Sequence, residues 1–187
     1  MILFDIDNVI ARTDEVIRAV IREKTQVNLA YEDVVEFDYW LCRDGRGRAI
    51  HKEDWQAIHT EFARDRLHAI EPFENVANHL SKLKEHFGIH LATTRLVEGH
   101  AATLAWLEKN EIPYEEIHFV KHRLKHTIDV RFTAAVDDDQ VQAGLFAEAG
   151  VKAFMLAHPW NSIPTRNEIF RVSDWDALMT ELLSLAE

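Results

Sequence analysis

From Gly88 onward the chain alternates apolar strand-like runs with helical stretches, and this alternation constrains the fold more than any other feature. The strands read as Gly88 to Thr93, Ile117 to Val120, Phe132 to Val136, Val151 to Leu156 and Ile169 to Val172. The helices read as Glu98 to Asn110, a short helix near Lys125, Gln140 to Ala149 and a terminal helix from Asp174. Strands and helices interleaved at these lengths predict a parallel sheet covered on both faces. One further strand, Ile2 to Ile6, stands apart at the start: it is too short for a buried helix and rich in strand formers. About eighty residues separate it from the next strand, with apolar spacings of three and four over Glu15 to Lys24, Trp55 to Leu67 and Phe73 to His86. The fold class expected is therefore α/β, a Rossmann-like doubly wound parallel sheet with a small helical insertion between strand one and strand two.

Open α/β sheets bind ligands beyond the carboxyl ends of their strands, so the residues just after each strand are the informative ones. Strand one delivers Asp5 and Asp7, with Asn8 following; strand two delivers Thr93, Thr94 and Arg95; the strand ending at Val136 delivers Asp137, Asp138 and Asp139. Lys125 lies in the segment before that last strand, and Lys121 offers itself as an alternative. Five carboxylates at one sheet edge repel one another, and a divalent cation is the natural compensation. Hard oxygen donors favour Mg²⁺, which usually bridges to a substrate phosphate.

In this order, Asp-x-Asp, Thr, Lys and an Asp pair, the motifs resemble those of the haloacid dehalogenase superfamily of aspartate-nucleophile phosphatases, over nearly the whole chain. The resemblance implies a core of residues 1–11 and 76–187 with a helical cap at 12–75. It implies Asp5 as nucleophile, Asp7 as general acid and base, Thr93 and Lys125 as phosphate-binding catalytic groups, and a Mg²⁺ held by Asp5, Asp7, Asp137 and Asp138, the Asp7 ligand being its backbone carbonyl. Arg123-Leu124-Lys125 resembles the Arg-x-Lys of 5'(3')-deoxyribonucleotidases, and Phe154 to Asn161 and Ser173-Asp174-Trp175 resemble segments of the same branch. Thr94, Arg95, Arg123 and Trp40 are the expected substrate-binding residues. The sequence departs from the pattern at Asn8, where the family usually has Gly, although Asn tolerates a left-handed backbone. It departs again at Arg95, which replaces a frequent Pro and can either add substrate contacts or pair with acids.

Phe37, Asp38, Tyr39 and Trp40 stand near Arg43, Arg46 and Arg48 in the insertion. Their rings suit stacking of a nucleotide base, and equally suit a cap core shared with Trp55 and Phe62. The Arg-rich loop is by default solvated. His118, His122 and His126 share a spacing of four that would give a zinc-binding face only on a helix, and here the segment reads as strand and loop. His90, inside strand two, reads as a satisfied core histidine.

The formal net charge of -11 argues against long nucleic acid as a partner. A single cysteine, Cys42, suits a reducing cytoplasm, no apolar run reaches membrane-spanning length, and Met1 to Asp5 does not read as a secretory signal. The expected partner is a small phosphorylated metabolite, with a nucleoside monophosphate as first candidate. A sugar or other metabolite phosphatase of the same superfamily, or a catalytically idle binding module, are the alternatives.

Overall fold

The structure is a computed structural model, which describes residues 1–162 and 168–186. Six strands form one sheet in the order β3-β2-β1-β4-β5-β6: β1 Ile2–Asp5, β2 Ile89–Thr93, β3 Glu116–Phe119, β4 Ala134–Asp137, β5 Lys152–Leu156 and β6 Ile169–Val172. Every pairing is parallel. β1, β2 and β4 are buried at every position, the pattern of strands covered on both faces.

Alternation along the strands divides the core in two. Ile2, Phe4, Ile89, Leu91, Val136 and Phe154 pack on one face with the helices α3 (Val76–Leu83), α4 (His100–Lys109) and α6 (Trp175–Leu183). Leu3, Ala92, Ala135, Ala153 and Met155 pack on the other with Phe146 of α5 (Gln140–Glu148). The doubly wound parallel sheet expected from the alternation is therefore present, and no helix among the described residues is long and apolar enough to cross a membrane.

Between β1 and β2 lie α1 (Thr13–Thr25), α2 (Lys52–Glu61), several single turns and α3. The helix expected over Trp55 to Leu67 is not continuous. α2 widens into a π-turn at Phe62–Arg66 and then tightens into a 3₁₀ turn at Leu67–Ala69. Apolar spacing alone does not separate these geometries. Here the widened turn keeps Phe62, Ala63 and Leu67 buried together, and Gly99 comes so close that a Cβ there would lie 2.9 Å from the Ala63 carbonyl oxygen. The helix expected from Phe73 starts only at Val76, because Asn75 takes a left-handed φ of 57° and Phe73 donates its N–H to the Ile10 carbonyl instead. The short helix expected near Lys125 is only a single 3₁₀ turn, Lys125–Thr127.

Candidate active site

β1 ends at Asp5, and the next six residues form a tight loop in which Ile10 and Ala11 both donate to the Ile6 carbonyl. Asn8 sits in it at φ 57°, the left-handed conformation anticipated for a residue in place of Gly. Its side chain locks the loop on two sides: Oδ1 accepts the Asp14 N–H at 2.8 Å, and Nδ2 donates to Asp138 Oδ2 at 3.1 Å. The loop is thereby tied both to the first helix of the insertion and to the end of β4.

Asp5, Asp137 and Asp138 converge there, with one carboxylate oxygen from each within 4.8 Å of the others, and all three are buried. Lys125 bridges two of them, its Nζ 2.8 Å from Asp5 Oδ1 and 2.8 Å from Asp137 Oδ2. Ile6 N–H and Asp139 N–H add backbone donors to Asp5 Oδ1 and Asp137 Oδ1. Asp138 Oδ2 also accepts the Trp160 indole N–H at 3.1 Å. One ammonium does not balance three buried carboxylates. Burial pushes Asp5 and Asp137 upward in spite of Lys125, and it raises Asp138 well above the carboxylate range, with the charges of Asp5 and Asp137 adding to the effect. Burial would lower Lys125, but Asp137 and Asp5 outweigh it and hold the ammonium protonated. A set of clustered oxygen donors with surplus negative charge can bind a metal ion, and its chemistry suits a hard one.

Asp7 stands apart from this cluster. Arg95 Nη2 lies 2.7 Å from Asp7 Oδ1, and Nε lies 3.1 Å from both carboxylate oxygens. Thr13 Oγ1 donates to the same carboxylate at 2.5 Å and Thr93 Oγ1 at 3.4 Å. Burial would raise Asp7, but the Arg95 guanidinium and the Thr13 hydroxyl more than offset it and keep the group below the usual carboxylate range. Arg95 is itself buried, with Nη1 on Thr103 Oγ1 at 3.1 Å and the Trp106 ring beneath it at 6.0 Å. Of the two readings open to Arg95 in the sequence, pairing with an acid is what the structure contains, and that acid is Asp7.

Asp139, counted in the sequence among the converging carboxylates, does not join them. It caps α5 through the Val141 N–H at 2.8 Å and accepts Arg123 Nε at 3.2 Å. Lys125 reaches the carboxylates, whereas Lys121 lies in the wall of a neighbouring cavity. That cavity, of about 530 Å³, lies between the insertion and the sheet edge and is walled by Ile17, Val34, Phe37, Tyr39, Trp40, Trp55 and Phe62. A smaller recess of about 70 Å³ leads to Asp5, Lys125 and Asp138, with Arg123 at its wall, and the two share Asp7, Asn8, Phe37, Thr94 and His122. Tyr39 stacks on Trp55 at 5.0 Å and donates its hydroxyl to Asp14 Oδ1 at 2.8 Å, while Trp40 leans on Trp55 at 6.1 Å. The aromatic cluster is thus both packed core and cavity wall. The Arg-rich loop turns onto itself: Arg48 pairs with Asp44 at 2.7 Å and Arg43 donates to the Gly47 carbonyl.

Four residues that shape the site have no role legible in the sequence. Thr13 holds Asp7 from the insertion. Trp160 and Asn161 hold Asp138, the latter through its backbone carbonyl at 3.0 Å. His158 receives the Tyr31 hydroxyl at Nδ1 (2.8 Å) and meets the Asn8 carbonyl at Nε2 (2.7 Å), and burial lowers it to about 4. The motif at 158–161 was visible as a resemblance, but nothing in its composition marked which atom it would hold.

A parallel sheet with β1 at its centre, carboxylates at its carboxyl edge and helices inserted after the first strand is the architecture of haloacid dehalogenase-like hydrolases. The resemblance read from motif order is borne out at this level. No protein-family model matches the chain. A haloacid dehalogenase-like hydrolase from Streptococcus pneumoniae superposes with a TM-score of 0.66 at 12% identity, covering 100% of this chain and 97% of that one. YfnB of Bacillus subtilis, a haloacid dehalogenase hydrolase solved with magnesium, gives 0.61 at 12% identity and 97% coverage of both chains. In sequence, the chain is 23% identical over 189 aligned positions to YqfW of Bacillus subtilis, which carries a provisional nucleotidase name; the match spans 91% of this chain and 87% of that protein.

Proposed function

We propose that the protein is a Mg²⁺-dependent phosphomonoesterase that hydrolyses a small phosphorylated metabolite through an aspartyl-phosphate on Asp5, with a nucleoside monophosphate as the preferred substrate class. The observation that carries the reading is the meeting of Asp5, Asp137 and Asp138, two of them paired with Lys125, in a recess that adjoins a large aromatic cavity. When bound, Mg²⁺ would be held by Asp5, Asp138, the Asp7 backbone carbonyl and Asp137, directly or through water, and would withdraw negative charge from the phosphoryl oxygens. Lys125 neutralises a further oxygen and keeps the Asp5 carboxylate in place, and the Thr93 hydroxyl donates to another.

Asp5 attacks phosphorus, the bond to the ester oxygen breaks, and Asp7 supplies the proton that the leaving oxygen needs. Water then attacks the acyl phosphate, giving its proton to Asp7, and inorganic phosphate leaves with Asp5 regenerated. Beside Arg95, Asp7 rests as an ionised carboxylate, the form that suits the water step; the proton it hands to the leaving oxygen is therefore first taken up from solvent, and the one gained from water is released there afterwards. The residues 12–75 act as a cap over a core of 1–11 and 76–187, with Trp40 against the leaving group and Thr94, Arg95 and Arg123 near the phosphate end. The apolar wall of Val34, Phe37, Trp55 and Phe62 supports a leaving group that carries a flat, weakly polar ring, as a nucleoside carries its base, over a free sugar, whose hydroxyls need partners there. The relative named a nucleotidase and the magnesium-bound neighbour support the same reading. Lone, buried Cys42 suits the cytoplasm.

The test is phosphate release from a panel of nucleoside monophosphates and sugar phosphates with and without Mg²⁺. Mg²⁺-dependent turnover that favours nucleotides and is abolished in Asp5→Asn is expected; metal-independent turnover, or an active Asp5→Asn protein, refutes the mechanism.

A further inference from the structure

A second set of donor atoms stands at the β3 edge of the sheet, away from both cavities. In the parallel pairing of β2 with β3, His90 lies opposite Glu116 and Ala92 opposite His118. Side chains two positions apart on a strand share a face, so Glu116 and His118 of β3 stand on the face where His90 projects from β2. His90 Nδ1 and His118 Nε2 share a hydrogen bond of 3.0 Å between rings only 10° from parallel, so the two nitrogens face each other. Glu116 reaches both rings, with Oε2 3.8 Å from His90 Nδ1 and Oε1 3.8 Å from His118 Nδ1. One donor atom from each of the three residues lies within 4.8 Å of the other two. His90 is buried with Phe132 edge-on against it at 5.5 Å, His118 is half-buried, and Glu116 is exposed.

We propose that His90, Glu116 and His118 form a second metal site, selective for Zn²⁺ and independent of the carboxylate cluster. Bond lengths of about 2.0 to 2.1 Å around a tetrahedral ion place its ligand atoms about 3.3 Å apart. The separations of 3.0 and 3.8 Å bracket that value; the two imidazoles would exchange their mutual hydrogen bond for the ion by turning their nitrogens toward it, and the exposed Glu116 side chain has the freedom to close the remainder. Two imidazoles and one carboxylate are borderline donors that suit Zn²⁺ and not Mg²⁺, the reverse of the all-oxygen set at Asp5, Asp137 and Asp138. Three protein ligands leave the fourth position for water on the solvent side of Glu116, which is also the route of entry. The ion would clip the edge strand to β2 directly ahead of the segment that carries Lys121 and Lys125. The set differs from the evenly spaced His118, His122 and His126, which the fold separates: His122 faces Phe37 at 6.1 Å and His126 lies in the 3₁₀ turn.

The experiment is calorimetric titration of chelator-treated full-length protein with Zn²⁺ in excess Mg²⁺, which occupies the carboxylate cluster, with visible absorption of bound Co²⁺ as a second readout. One Zn²⁺ per chain is expected. Affinity should fall about 100-fold in His118→Gln and about 10-fold in Glu116→Gln, an exposed position whose substitution leaves the fold intact, and should persist in Asp138→Asn. Absence of Zn²⁺ uptake over Mg²⁺, uptake indifferent to both His118→Gln and Glu116→Gln, or uptake lost in Asp138→Asn while His118→Gln retains it would each overturn the proposal.

Discussion

Replacing Arg95 by Met removes the guanidinium that pairs with Asp7 and leaves a carboxylate, itself only a quarter exposed, whose remaining side-chain partners among the described residues are hydroxyls. At an effective dielectric constant near 20, unit charges about 4 Å apart attract by about 4 kcal/mol. Desolvation of the two ions takes back part of this, and water at the exposed side of Asp7 takes back more, so a net coupling of about 2 kcal/mol is the expected value. Arg95→Met also loses the Thr103 hydrogen bond and the Trp106 contact, so the coupling is isolated with Asp7→Asn and the double variant. In urea, with a slope of about 2 kcal/mol per molar, it corresponds to a midpoint change of about 1 M. The pH dependence has a definite sign. Native Asp7 lies below its unfolded value, so in the parent protein it stabilises above about pH 4 and that contribution is lost as the pH falls through its folded value. Without Arg95, burial raises Asp7 and the charged form becomes a cost above about pH 4. The stability gap between parent and Arg95→Met is therefore widest near pH 7.5 and narrows toward pH 4.5. A gap that stays constant over that range, or a coupling below about 0.5 kcal/mol, refutes the electrostatic account of this pair.

Asp138→Asn removes a carboxylate that burial and its neighbours force upward, so the metal-free protein should melt higher than the parent at pH 7.5, with the advantage vanishing near pH 4, while stabilisation by added Mg²⁺ is lost. Trp40→Ala should raise KM for a nucleoside monophosphate about 5- to 150-fold while changing a small acyl phosphate far less, since base stacking is worth about 1 to 3 kcal/mol; equal losses for both substrates, with a lowered melting temperature, would assign Trp40 to packing alone. Gly99→Ala puts a methyl group 2.9 Å from both the Ala63 carbonyl and Leu67 Cδ1, and should cost about 1 to 3 kcal/mol in chemical denaturation.

The strands and their order of appearance were legible because parallel strands at the centre of a sheet are continuously apolar and end abruptly in polar residues. Asp5, Thr93 and Asp137 are each the last residue of a strand, which is why a filter on strand ends found the site. Partnership was not legible. Nothing local distinguishes Asp137 and Asp138, which face the cluster, from Asp139, which turns into a helix cap one residue later. The Asp7–Arg95 pair spans 88 positions and depends on the crossing of two loops, so composition near either residue carries no trace of it. The same holds for Thr13 and Trp160, whose roles come from the neighbours they are folded against. The break in α2 escaped because a π-turn and an α-turn bury nearly the same residues over one turn.

Trp175 stacks on Phe4 at 5.8 Å and donates its indole N–H to the Val9 carbonyl at 2.8 Å, across 166 positions of sequence. During synthesis β1 and its loop are made before the elements that hold them: β1 gains its neighbours only when β2 and β4 exist, and its loop receives this clamp only when α6 emerges. The segment bearing Asp5 and Asp7 thus waits, apolar and unpaired, until the chain has been made through α6. The sheet cannot be completed in halves, and the time for which Ile2 to Ile10 stays exposed on the ribosome is set by the length of chain between β1 and α6.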